Sequence, residues 1–536
     1  MIRSTCSRLA LLAASMLVGT AAGAATPCGG LTALTLPNNT KVDTAVVVPA
    51  GPFVRPGATT PTNVPEFCRV AGTSRPTSDS EIHFEVWLPA KNWNGKLDHG
   101  GNGGYGGSLA TPAGFMLQGL LRGYATAGTD MGHNAAVTPG ASFALGHPEK
   151  LADWGYRANH VTSVAAKLII RAHYGAPAFL NYFTGCSDGG HEALMEAQRF
   201  PDDYDGIVAG APANFWTHQS AAWVWEALAG LDVLPVSKLP MINAAAVAAC
   251  PGIVPTVIDD PVGCRFDPAS LLCAGADGPG CLTAAQVGAV RKIYAGPRNP
   301  RTGARIYPGL ERGSEAAEGS LGAAGSWSIL ISSGQTFLGG DTWKYMVFQD
   351  PSWDFHTLDF DKDVALADRK VGPIINSTDP DLSDFKALGG KLIIWHGWAD
   401  PLVNPRNSID YVRSVGAGKG KERDDDEAAR STQDFLRLFM APGLTHCSGG
   451  PGLTTFDTLT ALERWVEHGK APDKLIASHT TLPFPDNVMS ANPPAGDFSR
   501  PLCPWPEVAR YLGKGSKTAA SSFVCARQAG DRDDDD

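Results

Sequence analysis

Three features are scarce in this sequence: long apolar runs, closely paired cysteines and an excess of positive charge. Beyond residue 24, no stretch is apolar over the roughly 20 residues that a membrane-spanning helix needs. No cysteines are spaced C-x-x-C, so the usual ligand pairs of a structural zinc site are missing. Acidic residues outnumber basic ones by 54 to 44. We therefore expect no membrane anchor, no metal of this kind and no nucleic-acid partner.

The N-terminal segment has the composition of an export signal. Arg3 and Arg8 precede an apolar run over residues 9–18, and small residues follow up to Ala24. A transmembrane anchor is the weaker alternative, because the run is too short to span a bilayer. We expect residues 1–24 to be a signal peptide and the mature chain to be secreted or periplasmic.

Strand-like and helix-like segments alternate along much of the chain. Alternation of this kind favours an α/β fold in which helices cover both faces of a parallel sheet. The predicted strands are residues 82–88, 124–128, 179–183, 391–395 and 435–440, and the predicted helices are residues 161–174 and 192–200.

The chain of 536 residues is too long for a single core, and its composition divides it. The alternation fades over residues 216–373, which are rich in glycine, proline, tryptophan and cysteine, and we predict an inserted lobe there. The sheet domain would comprise residues 25–215 and 374–529. The acidic residues 530–536 are expected to form a disordered tail.

Eleven cysteines are present, and Cys6 lies in the expected signal peptide. The remaining even set, in an oxidising compartment, predicts disulfides throughout the mature chain. Spacing favours the local pairs Cys28–Cys68, Cys250–Cys264, Cys273–Cys281 and Cys503–Cys525. Cys186 and Cys447 are then left as the last pair.

Residues 185–189 match the motif G-x-S-x-G, with Ser187 at the centre. A serine hydroxyl becomes a useful nucleophile when a base removes its proton and the turn holds its oxygen exposed. The predicted strand before it and helix after it favour such a nucleophile elbow. A simple glycine-rich turn is the alternative.

A carboxylate and a histidine follow Ser187 in the order that this kind of site requires. Asp400 comes shortly after the predicted strand 391–395, and His446 shortly after 435–440. Sheet enzymes place catalytic groups at these strand ends. The order fits an α/β-hydrolase and differs from trypsin-like and subtilisin-like proteases.

Two backbone N–H groups should form the oxyanion hole of such a site. One is expected from Asp188, which follows the nucleophile. The other is expected from the glycine-rich run 100–107, with Gly103 as first choice and Gly104 next. A nucleotide-binding loop is the alternative for this run, but no helical pattern opens directly after it.

Cys186 directly precedes Ser187 and Cys447 directly follows His446, so a disulfide between them would tie the serine turn to the histidine loop. With Asp400, this arrangement resembles the CS-D-HC pattern of the tannase and feruloyl esterase family, which includes mono(2-hydroxyethyl) terephthalate hydrolase. Further similar stretches extend over nearly the whole mature chain. The resemblance implies an α/β-hydrolase fold with a large inserted lid domain, and a small aromatic ester as substrate.

The sequence departs from the family pattern in two places. Relatives often carry a calcium loop in the lid, but residues 251–258 after Cys250 have lost the acids that calcium needs. We expect no metal there, or a weakened site, and no cofactor for catalysis. At the other place, His191 stands where arginine is frequent, and we expect it on the surface at the start of a helix.

Several tryptophans and a phenylalanine of the lid could either line an aromatic pocket or form the core of the small lobe. We favour the core for most of them. They are Trp216, Trp223, Trp225, Trp327, Trp343 and Phe348.

Taken together, these residues predict a secreted serine carboxylic ester hydrolase. The resemblance implies esters of hydroxycinnamic or gallic-type acids, with a terephthalate monoester or another aryl ester as the alternative. An amidase or peptidase on the same frame and a catalytically inactive binding module are the other hypotheses. The sequence indicates neither the natural ester nor the oligomeric state.

Overall fold

The structure, a computed structural model, describes residues 25–316, 326–332, 338–418, 425–491 and 494–527. The expected signal peptide and acidic tail lie outside these residues. The strands are β1 (Thr40–Val48), β2 (Gly51–Phe53), β3 (Thr62–Val64), β4 (Phe67–Ser74), β5 (Ile82–Pro89), β6 (Lys96–Gly100), β7 (Ala125–Thr129), β8 (Leu180–Cys186), β9 (Gly206–Gly210), β10 (Lys391–Gly397), β11 (Leu436–Ala441), β12 (Leu475–Ser478), β13 (Ser499–Leu502), β14 (Val508–Tyr511) and β15 (Phe523–Ala526).

A nine-stranded sheet in the order β1-β4-β5-β7-β6-β8-β9-β10-β11 forms the centre of the fold. The strands from β7 to β11 run parallel, and β1, β4 and β5 add an antiparallel edge. Every residue of β7 and β9 is buried, as expected for strands covered on both faces. The predicted α/β class is therefore confirmed.

Helices cover this sheet and fill the insertion between β9 and β10. Within the described part of the chain, no helix has the length and apolar character needed to cross a membrane. The helices are α1 (Pro112–Leu121), α2 (Pro148–Ala152), α3 (Ala158–Tyr174), α4 (Asp188–Arg199), α5 (Trp216–Gly230), α6 (Leu239–Ala249), α7 (Ala284–Ala295), α8 (Ser328–Ser332), α9 (Gly339–Asp341), α10 (Lys362–Lys370), α11 (Gly372–Ile375), α12 (Ser383–Ala387), α13 (Pro405–Ala417), α14 (Asp425–Thr432), α15 (Thr458–His468) and α16 (Asp486–Met489).

The insertion packs onto the sheet domain through a shared apolar core. Helix α5 contacts α7 and α8, and its buried Trp216 lies edge-on to Tyr105 from the glycine-rich run. The Tyr105 hydroxyl donates to the carbonyl of Leu338, and its oxygen lies 2.9 Å from Thr342 Oγ1. The insertion is therefore anchored next to the strand ends that hold the predicted site.

The lid aromatics mostly form core, as predicted. Trp216, Trp223, Trp327 and Trp343 are buried in one apolar cluster, and Phe348 packs against it. Trp225 is half-buried and its Nε1 donates to the carbonyl of Lys292 at 2.9 Å.

All five disulfides have the predicted partners. They are Cys28–Cys68, Cys186–Cys447, Cys250–Cys264, Cys273–Cys281 and Cys503–Cys525. Four of them close short segments, whereas Cys186–Cys447 spans 261 residues and links the end of β8 to the loop after β11. Only this one joins the segments that carry Ser187 and His446.

The boundaries of several predicted elements were wrong by a few residues. The strand predicted over 179–183 is β8, which runs on to Cys186, and Phe179 lies outside it with its side chain 62% exposed. The helix predicted over 192–200 is α4, which begins at Asp188. Its first turn contains two glycines, which helical periodicity does not reveal.

Candidate active site

The turn from β8 into α4 places Ser187 in a backbone conformation that few residues adopt. Its φ is 67° and its ψ is −122°. In this turn the start of α4 packs directly against the backbone at the end of β9. A glycine is needed at position 190, because a Cβ there would lie 2.3 Å from the carbonyl oxygen of Gly210. The turn is held by Ser187 N–H, which donates to the Gly210 carbonyl at 3.0 Å. This is the geometry of a nucleophile elbow.

The structure brings Ser187, His446 and Asp400 into one hydrogen-bonded line. His446 Nε2 lies 2.8 Å from Ser187 Oγ, and His446 Nδ1 lies 2.7 Å from Asp400 Oδ2. Since an ionised carboxylate only accepts, Nδ1 carries the proton and Nε2 is the acceptor for the serine hydroxyl. Asp400 is fully buried, His446 is 8% exposed and Ser187 is half-buried.

Asp400 sits in a loop that stabilises its charge. Its Oδ1 accepts from the backbone N–H groups of Leu402 at 2.8 Å and Val403 at 3.0 Å. Burial alone would raise the pKa of Asp400, but the imidazoles of His446 and His396 hold it well below its usual value. The carboxylate therefore stays ionised at working pH.

His396, at the end of β10, is a second imidazole beside Asp400. Its Nε2 lies 2.9 Å from the Val403 carbonyl and 3.3 Å from Asp400 Oδ2. Because a carbonyl only accepts, Nε2 carries the proton, and Nδ1 accepts from the Ser408 hydroxyl at 2.7 Å. His396 thus points a donor at the loop of Asp400, next to the same carboxylate oxygen, Oδ2, that His446 contacts.

The loop after β11 is fixed at Cys447, the residue directly after His446. Cys447 has a φ of 61° and its Cα lies 6.1 Å from that of Cys186 across the disulfide. The carbonyl of Cys447 accepts from Asn487 Nδ2 at 3.1 Å, and the same amide nitrogen donates to the Thr454 carbonyl at 2.9 Å. A covalent bond and a buried amide therefore restrict the imidazole.

The two glycine candidates for the predicted oxyanion hole differ in what their backbone N–H groups contact. The N–H of Gly103 donates to Asn102 Oδ1 at 3.0 Å. The N–H groups of Gly104 and Asp188 donate to no described residue. Gly104 also has open space where a Cβ would stand, which makes it the better candidate than Gly103 for the second donor.

The prediction of a surface position for His191 was wrong. Its side chain is fully buried in the first turn of α4, with its ring stacked on Trp154 at a centroid distance of 5.5 Å. Its Nδ1 lies 3.3 Å from Asp188 Oδ1. Burial lowers the pKa of His191 to about 4 and raises that of Asp188 well above its usual value. Trp154 of the sheet domain and Trp216 of the lid, whose ring centroid lies 6.0 Å from that of His191, together cover the imidazole.

In the lid loop after Cys250, both aspartates already accept hydrogen bonds from protein donors. Asp259 accepts from the backbone N–H of Ile253 at 2.7 Å and from Arg500 Nη1 at 2.8 Å. Asp260 accepts from the N–H of Gly263 at 3.0 Å. Protein donors and a guanidinium thus occupy oxygens that a calcium ion would need.

One further group of side chains has ligand atoms close enough for a metal: His160, Glu196 and Asp203, within 4.8 Å of one another. Both oxygens of Asp203 are already paired, one with Lys167 Nζ at 2.9 Å and the other with His160 Nδ1 at 2.7 Å. This group is therefore accounted for by ion pairs.

Sequence reasoning missed the residues that support the site from behind. They include His396, Asn487, Asn102 and Glu192, and the last two connect the glycine-rich run to α4. The motif H-G-x-x-D at 396–400 was visible, but a histidine four residues before an aspartate carries no distinctive pattern. The other contacts join residues far apart in sequence.

The chain matches the tannase and feruloyl esterase family over residues 68–526. It is 41% identical to an uncharacterized esterase of Xanthomonas campestris pv. campestris, covering 96% of this chain and 94% of that protein. It is 33% identical to the mono(2-hydroxyethyl) terephthalate hydrolase of Piscinibacter sakaiensis, covering 90% of this chain and 88% of that one.

A crystal structure of feruloyl esterase B from Aspergillus oryzae is similar over 93% of this chain and 99% of that chain. The TM-score is 0.80 and the sequence identity is 27%. The family match, the relatives and this likeness agree with one another on the family and the fold. The chain belongs to the tannase and feruloyl esterase family.

Proposed function

We propose that this ester hydrolase is an exported enzyme that cleaves esters of aromatic acids through an acyl-enzyme on Ser187. The hydrogen-bonded line from Ser187 through His446 to Asp400 is the observation that carries the proposal. A serine, a histidine and a carboxylate in this geometry form the catalytic triad of acyl transfer.

In the first half of the reaction, His446 Nε2 takes the proton of Ser187 Oγ as this oxygen bonds to the ester carbonyl carbon. The negative charge moves to the carbonyl oxygen, which the N–H groups of Asp188 and Gly104 stabilise. When the carbon–oxygen bond to the alcohol breaks, His446 returns the proton to the leaving oxygen. The alcohol departs and the acyl group stays on Ser187.

In the second half, His446 takes a proton from water, whose oxygen attacks the acyl carbon. The bond to Ser187 Oγ then breaks, and His446 delivers the proton to that oxygen. The free acid leaves and the enzyme is restored. Asp400 stays ionised throughout and stabilises the imidazolium that forms in each half.

The proposed acyl group is aromatic because of the relatives. The proteins that share the fold and family are named for ferulate esters and for a terephthalate monoester. Both kinds of substrate conjugate an aromatic ring with the scissile carbonyl, directly in a terephthalate ester and through a carbon–carbon double bond in a ferulate ester. A terephthalate monoester is therefore the second candidate substrate, and it would need a partner for its free carboxylate.

Export is supported by the disulfides and by the N-terminal sequence. Structural disulfides persist in oxidising compartments, and this chain has one beside its own candidate nucleophile.

An amidase or peptidase would use the same three residues. The intact hydrogen-bonded line disfavours the inactive binding module, because such a module has no need to keep it.

We propose further that the lid loop binds no calcium. Arg500, from β13 of the sheet domain, supplies the positive charge to Asp259 of the lid. The Arg500 side chain is 4% exposed and the Asp259 side chain 28%, so the arginine end of this ion pair is buried. Cys250–Cys264 closes the loop within the lid, and the ion pair joins the loop to the sheet domain.

The nucleophile can be tested by labelling with a fluorophosphonate. The wild-type enzyme should be labelled, because His446 activates Ser187, and Ser187→Ala should not. Hydrolysis of methyl ferulate, methyl gallate and a terephthalate monoester, measured side by side, then assigns the substrate. Turnover of amides but none of these esters would overturn the proposal.

The disulfide Cys186–Cys447 should matter more for turnover than for folding. In Cys186→Ala/Cys447→Ala, kcat should fall by about 10-fold or more, because small displacements of the histidine are costly. The matched control is Cys503→Ala/Cys525→Ala, which removes a bridge remote from the triad. Equal kcat in both double variants, with folding verified by thermal unfolding, would contradict this role.

His396 should act through Asp400. His396→Gln can place its amide nitrogen near Nε2 of the imidazole and keep the donor, whereas His396→Asn reaches only the position of Nδ1. A hydrogen bond to a charged group contributes about 1.5–3 kcal/mol, so kcat of the Asn variant should fall about 10-fold or more. The Gln variant should retain most of its kcat. Identical kcat values for the two would exclude this contact as the cause.

The calcium proposal is tested by dialysis against a chelator. Thermal unfolding should be unchanged, whereas Arg500→Gln should lower Tm, because Asp259 loses its counter-charge, and added calcium should not restore it. The proposal fails if elemental analysis after exhaustive dialysis finds one tightly held calcium per chain.

A further inference from the structure

Asn102 links the proposed oxyanion loop to the helix that carries the nucleophile. It lies between Gly101 and Gly103, and both its backbone and its side chain form hydrogen bonds. Its Nδ2 donates to the carbonyls of Ser108 at 3.1 Å and Thr129 at 2.9 Å, and its Oδ1 accepts from Gly103 N–H. The peptides that follow Asn102 are therefore oriented by this one residue.

Helix α4 holds the backbone of Asn102 at two points. The Asn102 N–H donates to Glu192 Oε2 at 3.0 Å. The Asn102 carbonyl accepts from Gly189 N–H at 3.1 Å. Glu192 lies one helical turn after Asp188, whose N–H is the other proposed oxyanion donor. Both halves of the hole thus depend on the first turns of α4.

The contact between the loop and α4 leaves no spare room. A Cβ on Gly101 would lie 2.8 Å from Gly189 Cα and 3.0 Å from Glu192 Oε2. The glycine allows the carboxyl group to reach the Asn102 peptide directly. Glu192 is 2% exposed, so water cannot replace this acceptor if the side chain is lost.

We propose that Glu192 is a positioning residue that fixes the Asn102 peptide and thereby aims the Gly103–Gly104 backbone at the same point as the Asp188 N–H. The proposal rests on the proposed function, because it needs an oxyanion to be stabilised there. Glu192 touches neither the substrate nor Ser187, and it acts through the loop.

The role needs only an acceptor oxygen where Glu192 Oε2 lies, 3.0 Å from the Asn102 nitrogen. Burial, together with the nearby carboxyl of Asp188, raises the pKa of Glu192 well above its usual value. Burial has the same effect on Asp188. A shift in this direction favours the uncharged carboxyl, and an uncharged carboxyl places no full negative charge next to the oxyanion. The carbonyl oxygen of a glutamine would therefore serve as well as Glu192.

The expected fall in kcat can be judged from what oxyanion-hole donors contribute to catalysis. Loss of one donor from such a hole costs about 10²–10³ in kcat. A loop displaced by about 1 Å loses a similar factor. Ground-state binding of the ester does not depend on these donors, so KM should change little.

The test compares Glu192→Gln, which keeps an acceptor of the same length, with Glu192→Met, which keeps the length and removes the acceptor. With the best ester found for the wild type, kcat of the Met variant should fall about 100-fold at a KM within about threefold. The Gln variant should stay within about threefold of wild type. Glu196→Met, one turn further along α4 and equally buried, is the matched control and should keep its kcat.

Glu192→Asp covers the case in which the Met variant does not fold, since the shorter carboxyl cannot reach Asn102 N–H and kcat should fall in the same way. Folding of each variant is checked by thermal unfolding. The proposal is overturned if a folded Met or Asp variant keeps its kcat, or if Gln loses as much as Met. If the wild type itself hydrolyses no ester and resists fluorophosphonate, the proposed function has failed instead.

Discussion

The covalent tie between Cys186 and Cys447 is the constraint on which the site depends. It joins the end of β8 to the loop after β11, and these strands are separated in the sheet by β9 and β10. The nucleophile and its base each stand directly beside one sulfur. Without such a tie, the relative position of two loops on different strands would rest on weaker contacts that open more readily.

Around this tie, each catalytic group is supported by a neighbour on another element. His396 and two backbone N–H groups hold Asp400, Asn487 holds the carbonyl next to His446, and Glu192 holds the oxyanion loop. Most of these supports are fully buried. In a site of low dielectric such contacts are stronger than in water, and their loss is not compensated by solvent.

The sequence predicted the catalytic residues better than it predicted the residues that hold them in position. Ser187, Asp400 and His446 follow a known order at strand ends, and the five cysteine pairs follow from spacing and elimination, so a local pattern sufficed. His191 could not be placed, because its burial depends on Trp154 and on the lid, both distant in sequence. The choice between Gly103 and Gly104 was equally beyond sequence, since it depends on where the Asn102 side chain points. The strand and helix ends near the elbow shifted because glycines hide the start of α4.

The proposed mechanism requires Ser187 to carry the acyl group between the two halves of the reaction. Rapid quenching of the enzyme with its best aryl ester, followed by peptide mass spectrometry, measures this directly. We expect a mass increase equal to that of the acyl group on the peptide containing Ser187, formed before the acid is released. Two results would contradict this mechanism. One is an adduct on a residue other than Ser187. The other is release of the acid with no adduct on Ser187, under conditions where acylation is faster than deacylation.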